Sequence, residues 1–213
     1  SGGGLKLFCA GVGEEHPDIT NASRRIKESE VETCAANGVI EIIEVKIGFD
    51  GIVLANSRSG PQMSITIPQL WLAMAAEVPD GQGGLIANPY LTWDEIDPAL
   101  PSYAIRVMGP PPTSGTRDAF VELAMDGGCK TFDDVKALAD TDKDRYESVC
   151  QSIREDGAFV EAGENDNLIV QKLEADSEAF GIFGYSFLDQ NFDKLQGSAI
   201  DGVEPTFDAI SAG

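Results

Sequence analysis

Short apolar runs rich in β-branched residues recur along the chain and predict strands. Residues 39–45 and 51–55 form two such runs around Phe49-Asp50-Gly51, which predicts two strands joined by a tight turn. Further strands are predicted at residues 16–26, 103–108, 159–160 and 179–187, with a strand pair in residues 194–213.

Helical spacing of apolar residues occupies much of the sequence between these runs. Helices are predicted at residues 29–37, 67–76, 119–125, 131–155 and 168–173, with a short helical turn at residues 92–96. Gly38 and the pair Gly127-Gly128 are predicted to end two of the helices, and Thr141-Asp142 interrupts a third. The repeated order of strand, loop and capped helix predicts an α/β fold.

One helix start carries an unusual set of donors. Ser114-Gly115-Thr116-Arg117 follows a predicted strand and the stiff Gly109-Pro110-Pro111-Pro112 turn, and it opens the helix at residues 119–125. The first N–H groups of a helix have no partner within it, and the helix dipole adds partial positive charge there. Two hydroxyls, a glycine and a guanidinium therefore make this an anion-site candidate. An ordinary N-cap is the alternative reading of the same residues.

Polar residues stand at three other positions where a loop meets a helix or a strand ends. Ser1 is followed by glycines and then by apolar residues at helical spacing, which has the same physical form as the start at Ser114. Ser23 and Arg24 end a predicted strand. Asn165-Asp166-Asn167 is predicted to cap the helix at residues 168–173, and its polar side chains are candidates to face a cleft.

Composition narrows the classes of partner. The chain has 213 residues, of which 42% are hydrophobic, enough for one large core or two smaller ones. Its 36 acidic and 15 basic residues give a formal charge of −21, which repels nucleic acid and anionic membranes. No apolar run approaches the length needed to cross a bilayer, so we expect neither a nucleic-acid partner nor direct membrane insertion.

The cysteines and the single histidine limit the chemistry. Cys9 with Cys34 and Cys129 with Cys150 form two local pairs, and neither has the spacing of a zinc or redox motif. The even number favours two disulfides and an oxidising compartment over four buried thiols. Because His16 is the only histidine and precedes a proline, zinc sites and His-based catalytic triads are excluded.

Several of these segments occur in one order along nearly the whole chain: the Ser-Gly-Gly-Gly-Leu-Lys start, residues 18–24, residues 51–56, the Ser114-Gly115-Thr116 helix start and residues 181–185. Together they resemble the phosphate-binding component of bacterial phosphate ABC importers. The resemblance implies an α/β, type 2 periplasmic binding protein fold, in which two lobes with mixed sheets flanked by helices close on phosphate without catalysing a reaction.

The resemblance also implies a phosphate site, made of Ser1, Ser23, Arg24, Ser114, Gly115, Thr116 and Arg117. Many family members have an Asp acceptor after the Ala-Ser of the second strand, and an Arg four residues before the Ser-Gly-Thr. This chain has Arg24 or Ser23 at the first of those places and Pro110 at the second. We therefore expect Arg117, Arg24 or both to supply the cationic contact, and another residue to act as the acceptor if one is present.

The resemblance implies three segments in this chain. They are a partial first lobe at residues 1–57, a second lobe at residues 58–193, and a hinge or return segment at residues 194–213. Family members have further elements before and after these segments, so the chain is expected to be a fragment lacking both ends.

The expected function is the capture of inorganic phosphate for the membrane permease of an ABC importer. The protein is expected to be a monomer without a cofactor, in the periplasm of a Gram-negative bacterium. A binding protein for another oxyanion, such as sulfate or molybdate, is one alternative. A phosphoester hydrolase with Ser114 as nucleophile is another, although no base is evident beside that serine. An adhesive protein on the same scaffold is a third.

Overall fold

A computed structural model of the chain describes residues 2–22, 24–163 and 165–212. The chain divides into two compact units, Ser1–Phe49 and Asp50–Gly213. This division differs from the predicted segments, because residues 52–57 and 194–200 both contribute strands to the larger unit. The assignment of residues 1–57, 58–193 and 194–213 to lobes stays a prediction.

The described residues of the smaller unit form two short helices, α1 at Gly2–Phe8 and α2 at Glu28–Ala36. The disulfide between Cys9 and Cys34 joins the end of α1 to α2, as the cysteine pairs predicted. Gly38 has a φ of +89°, a left-handed conformation that glycine adopts at little cost, and it follows the end of α2 as predicted.

Two predicted strands are not formed in the described part of the smaller unit. Residues 17–22, 25–27 and 39–49 have no regular secondary structure, and Ile40 and Ile47 are 87% and 93% exposed. A strand needs a neighbour that satisfies its backbone groups, and no strand is assigned to the described residues of this unit. The β-branched residues of these segments therefore give them a preference for strand structure. A strand forms only where a pairing partner is also present.

The larger unit is built on a mixed central sheet. The strands of this unit, including those outside the central sheet, are β1 (Ile52–Ser57), β2 (Ser64–Ile65), β3 (Glu77–Pro79), β4 (Leu85–Ala87), β5 (Val107–Gly109), β6 (Phe159–Glu161), β7 (Phe180–Gly184), β8 (Leu195–Gly197) and β9 (Ala199–Ile200). The central sheet has the order β6-β5-β7-β1-β8. β5 pairs in parallel with β6 and β7, whereas β1 pairs antiparallel with β7 and β8. The carboxyl ends of β5, β6 and β7 therefore share one edge of the sheet.

Helices flank this sheet. They are α3 (Ile67–Met74), α4 (Gly115–Phe120), α5 (Asp126–Cys129), α6 (Asp133–Thr141), α7 (Lys143–Gln151), α8 (Asp166–Ala175), α9 (Tyr185–Gln190) and α10 (Phe207–Ala212), with a short 3-10 turn at Trp93–Glu95. Residues 185–187, which the apolar pattern assigned to a strand, begin α9 instead. No helix in the described ranges has both the length and the apolar character needed to cross a membrane.

The helix that begins at Gly115 runs past its predicted stop. α4 continues through the π-helical turn Val121–Met125 into α5, so Gly128 lies within the helix. A Cβ added at Gly128 would lie 2.4 Å from the Cβ of Trp71. The glycine therefore allows α5 to pack closely against α3. At the end of α5 the second predicted disulfide, Cys129–Cys150, links this helix to α7.

Successive residues along a strand of the central sheet pack into two separate hydrophobic cores. Leu54 of β1 packs in the core that contains Phe120 of α4. Val53 packs in the core that contains Ile169 and Leu173 of α8. Successive side chains of a strand point to opposite faces, so α4 and α8 cover opposite faces of the same sheet.

Candidate anion site at the carboxyl edge of the sheet

The connections that leave two adjacent strands diverge at the carboxyl edge. β5 and β6 are parallel neighbours, with Val107 opposite Phe159. The chain leaving β5 enters α4 on one face of the sheet, and the chain leaving β6 enters α8 on the other. Open α/β sheets bind ligands in the crevice that forms where adjacent connections turn to opposite faces. The topology therefore predicts a crevice between the loop after β5 and the loop after β6.

The loop after β5 presents the start of a helix to this crevice. The Ser114 N–H donates to the Pro111 carbonyl oxygen at 3.0 Å, which fixes the turn. Ser114 Oγ then accepts from the Thr116 N–H at 3.2 Å, so the predicted N-cap is formed. The other N–H groups of the first turn have no acceptor within a helix. The loop thus combines backbone donors with the positive end of a helix dipole.

Gly115 is not required by the local conformation. Its φ lies outside the left-handed region, and a Cβ built there would have no atom within 4 Å. Glycine in a helix lowers stability by roughly 0.5–1 kcal/mol relative to alanine. A glycine with open space beside it is expected where a ligand, such as an anion, must come close to the backbone.

The Arg117 guanidinium is held at the β5–β6 side of the loop. It lies 4.4 Å above the centre of the Phe159 ring, and its Nη1 donates to the Pro110 carbonyl oxygen at 3.2 Å. Burial lowers the pKa of Arg117, and the nearby Glu161 carboxylate opposes this shift. Arginine nevertheless stays charged at neutral pH. Because the contacts with Phe159 and Pro110 fix its position, it can present charged donors at the crevice without reorganisation.

The loop after β6 contributes a carboxylate. Asn165 Oδ1 accepts from the Asn167 N–H at 3.1 Å and caps α8, as predicted. Asp166 Oδ2 accepts from the N–H of Gly184, the last residue of β7, at 3.4 Å. Burial raises the pKa of the Asp166 carboxyl; the Gly184 N–H acts against this shift, and the Asp50 charge adds to it.

Three of the predicted site residues, Ser1, Ser23 and Arg24, belong to the smaller unit. Ser1 and Ser23 lie outside the described residues. Arg24 makes a bidentate ion pair with Glu30, at 2.9 Å from Nη1 and 2.8 Å from Nη2, and Glu30 also accepts from the Lys27 N–H. The guanidinium lowers the pKa of Glu30 to about 2, and burial opposes this shift. Each unit is described by itself, so the predicted role of Arg24 beside the Ser114 loop stays a prediction.

Sequence reasoning brought together the residues of the Ser114 loop but missed one of their contacts. Phe159, which stacks under Arg117, was predicted only as part of a strand. Asp166 was predicted only as part of the polar cap Asn165-Asp166-Asn167, and this cap pattern is the sequence signal that marks it.

One cavity of the larger unit is unsuited to an anion. It has a volume of about 200 Å³ and is lined by apolar side chains, among them Ile52, Leu70, Phe120 and Ile182. An unpaired charge placed among such side chains loses its hydration without gaining hydrogen bonds.

Comparison with known proteins places these features in a family. The sequence profile of the PBP superfamily domain matches residues 1–213. Protein SphX of Synechococcus elongatus is 30% identical over 200 residues, and the match covers 94% of this chain and 48% of that protein. The phosphate-binding protein PstS of Staphylococcus saprophyticus is 29% identical over 196 residues, with coverage of 92% and 48%. The chain spans about half the length of these curated relatives.

A solved structure agrees with the sequence matches. The crystal structure described as a possible phosphate binding protein from Planctomyces limnophilus superposes with a TM-score of 0.63 at 27% identity. The superposition covers 98% of this chain and 62% of that one. The fold is therefore the predicted α/β fold of periplasmic binding proteins, with a mixed sheet flanked by helices.

Proposed function

The chain belongs to the PBP superfamily, and from this premise we propose that it is part of an extracytoplasmic solute-binding protein that captures inorganic phosphate for an ABC importer. The name of one relative, phosphate-binding protein PstS, and the description of the structure from Planctomyces limnophilus support phosphate as the ligand. The observation that carries the proposal is the capped helix start at Ser114, followed by Gly115 and Thr116, with the Arg117 guanidinium stacked on Phe159 beside it. The protein binds its ligand and catalyses no reaction.

Capture proceeds by replacing the hydration shell of the anion with fixed donors. The first N–H groups of α4, the Ser114 and Thr116 hydroxyls and the Arg117 guanidinium supply hydrogen bonds to the phosphate oxygens. Hydrogen bonds to charged groups contribute about 1.5–3 kcal/mol each, so a few of them offset the unfavourable field of a chain with a charge of −21.

The remaining parts of the site come from the other lobe. We assign residues 1–57 to the first lobe, residues 58–193 to the second and residues 194–213 to the return segment. Ser1, Ser23 and Arg24 are the phosphate-binding residues that we assign to the first lobe, and lobe closure is the step that sets the affinity. The protein acts as a monomer in the periplasm of a Gram-negative bacterium, and the liganded form delivers phosphate to the membrane permease.

Calorimetric titration of phosphate into the full-length protein tests this function. Thr116→Val keeps the shape of the side chain and removes one hydroxyl, so we expect a roughly tenfold or greater loss of affinity. Thr141→Val is the matched control: its hydroxyl donates to the Ala137 carbonyl oxygen on the exposed surface of α6, and affinity should be unchanged. Equal phosphate affinity in wild type and Thr116→Val would remove the Ser114 loop from the site.

A further inference from the structure

We propose that the apolar cavity between α3, α4 and the central sheet is a second binding site, which takes a small uncharged apolar molecule about the size of a benzene ring. The residues that line this cavity lie outside the Ser114 loop. The inference therefore goes beyond the proposed function and does not rest on it.

Buried side chains from the sheet and from both helices form the floor of the cavity. They are Leu54 of β1, Ile182 of β7, Leu70 of α3 and Phe120 of α4. Side chains in protein interiors are close-packed and leave few voids larger than a water molecule. A volume of about 200 Å³ therefore exceeds what ordinary packing leaves between a sheet and its helices.

The mouth of the cavity is made of apolar side chains that solvent can reach. Ile52, Ile67 and Ile200 are partly exposed, and Leu123 is 62% exposed. A molecule entering from solvent therefore meets an apolar path to the floor. Leu123 is also a large apolar side chain whose exposure a ligand at the mouth would reduce.

One wall of the cavity is the π-helical turn Val121–Met125. Two residues of this turn line the cavity: Leu123 at the mouth, and Ala124, which is buried. π-helical turns are rare in proteins and occur frequently at functional sites. This turn is an observation independent of the cavity volume, and it indicates a ligand at the same place.

The chemistry of the walls selects the class of ligand. All ten residues that line the cavity are apolar. A water molecule there would lack the polar partners that it needs, and an ion would lose its hydration without compensation. An apolar protein cavity of about 150 Å³ lined by Leu, Ile and Phe binds benzene or xenon. The same residue types around a larger volume admit an aromatic ring with a small substituent.

Benzene is the probe that tests this site in the full-length protein. We expect saturable changes in the methyl NMR signals of Leu54 and Ile182 as benzene is added, because an aromatic ring shifts the resonances of nearby nuclei. Ala124→Ile places three further carbon atoms at the cavity wall and should weaken benzene binding by about tenfold or more. Ile200→Phe enlarges a side chain at the mouth, and it serves as the filling variant if Ala124→Ile does not fold.

The control variant is Ala139→Ile, which makes the same substitution on the exposed surface of α6 and should leave benzene affinity unchanged. Methyl signals of Leu54 and Ile182 that do not respond to benzene in the wild-type protein would overturn the proposal. Wild-type benzene affinity in the folded filling variant would also overturn it. Either result leaves the phosphate site standing, because phosphate affinity is measured separately.

Discussion

Replacing Gly115 with alanine should separate the stability of the fold from the binding of phosphate. A Cβ at this position meets no atom within 4 Å, and the backbone is not in the left-handed region. Substituting alanine for glycine where the conformation allows it stabilises a protein by about 0.4–1 kcal/mol, chiefly through the unfolded chain. Gly115→Ala should therefore unfold at the same or a slightly higher urea concentration than wild type.

Phosphate binding should respond in the opposite direction. The added methyl group occupies the open space that an anion needs in order to reach the first N–H groups of α4. Loss of one hydrogen bond to a charged group costs about 1.5–3 kcal/mol, which corresponds to roughly 10- to 150-fold weaker binding. The free energy of unfolding and the free energy of binding would thus change with opposite sign.

Two measurements on the full-length protein test this prediction. Both tryptophans of the chain, Trp71 and Trp93, are fully buried in the larger unit, so their fluorescence reports its unfolding in urea. Calorimetry reports phosphate affinity. Gly127→Ala is the control: this residue lies in α5, where its Cβ would approach Ile67 Cγ2 to 3.3 Å, and binding should be unchanged. Wild-type phosphate affinity in folded Gly115→Ala would refute the assignment of the anion to this backbone.

Three further predictions concern stability. Gly128→Ala should lower the free energy of unfolding by about 1–3 kcal/mol, measured by urea titration, because its Cβ would overlap Trp71. Reduction of Cys129–Cys150, which closes a loop across a sequence separation of 21, should cost roughly 3 kcal/mol by the same titration. The pKa of Glu30 is lowered to about 2. Ionised Glu30 should therefore stabilise the fold fully above about pH 4.5, and this stabilisation should be lost as the pH falls towards 2. An NMR titration of Glu30 with a midpoint near 4.5 would contradict this.

Local signals predicted the elements whose formation depends on nearby residues. The helix at residues 67–76 was recognised from its apolar face and Pro68, and the structure forms Ile67–Met74 with the Thr66 cap. The cap at Asn165 and the cap at Ser114 were also predicted from short-range patterns. These features depend on hydrogen bonds between residues two or three positions apart, which a single sequence displays directly.

Features that depend on distant partners were not predictable in this way. The run at residues 39–45 has strand composition but no strand to pair with in the described part of its unit. Gly128 was expected to stop a helix, whereas its real constraint is Trp71, which packs against it from another helix. The stacking of Arg117 on Phe159 depends on the pairing of β5 with β6, and nothing in either segment specifies that pairing.

The position of the anion itself gives the most direct test of the phosphate site. Crystals of the full-length protein grown with arsenate, a phosphate mimic, would locate the ligand by its anomalous scattering. We predict an anomalous peak within hydrogen-bonding distance of the Gly115 and Thr116 N–H groups, with the Arg117 guanidinium at its side. A fully occupied peak elsewhere in the protein, with these N–H groups facing solvent, would contradict the assignment.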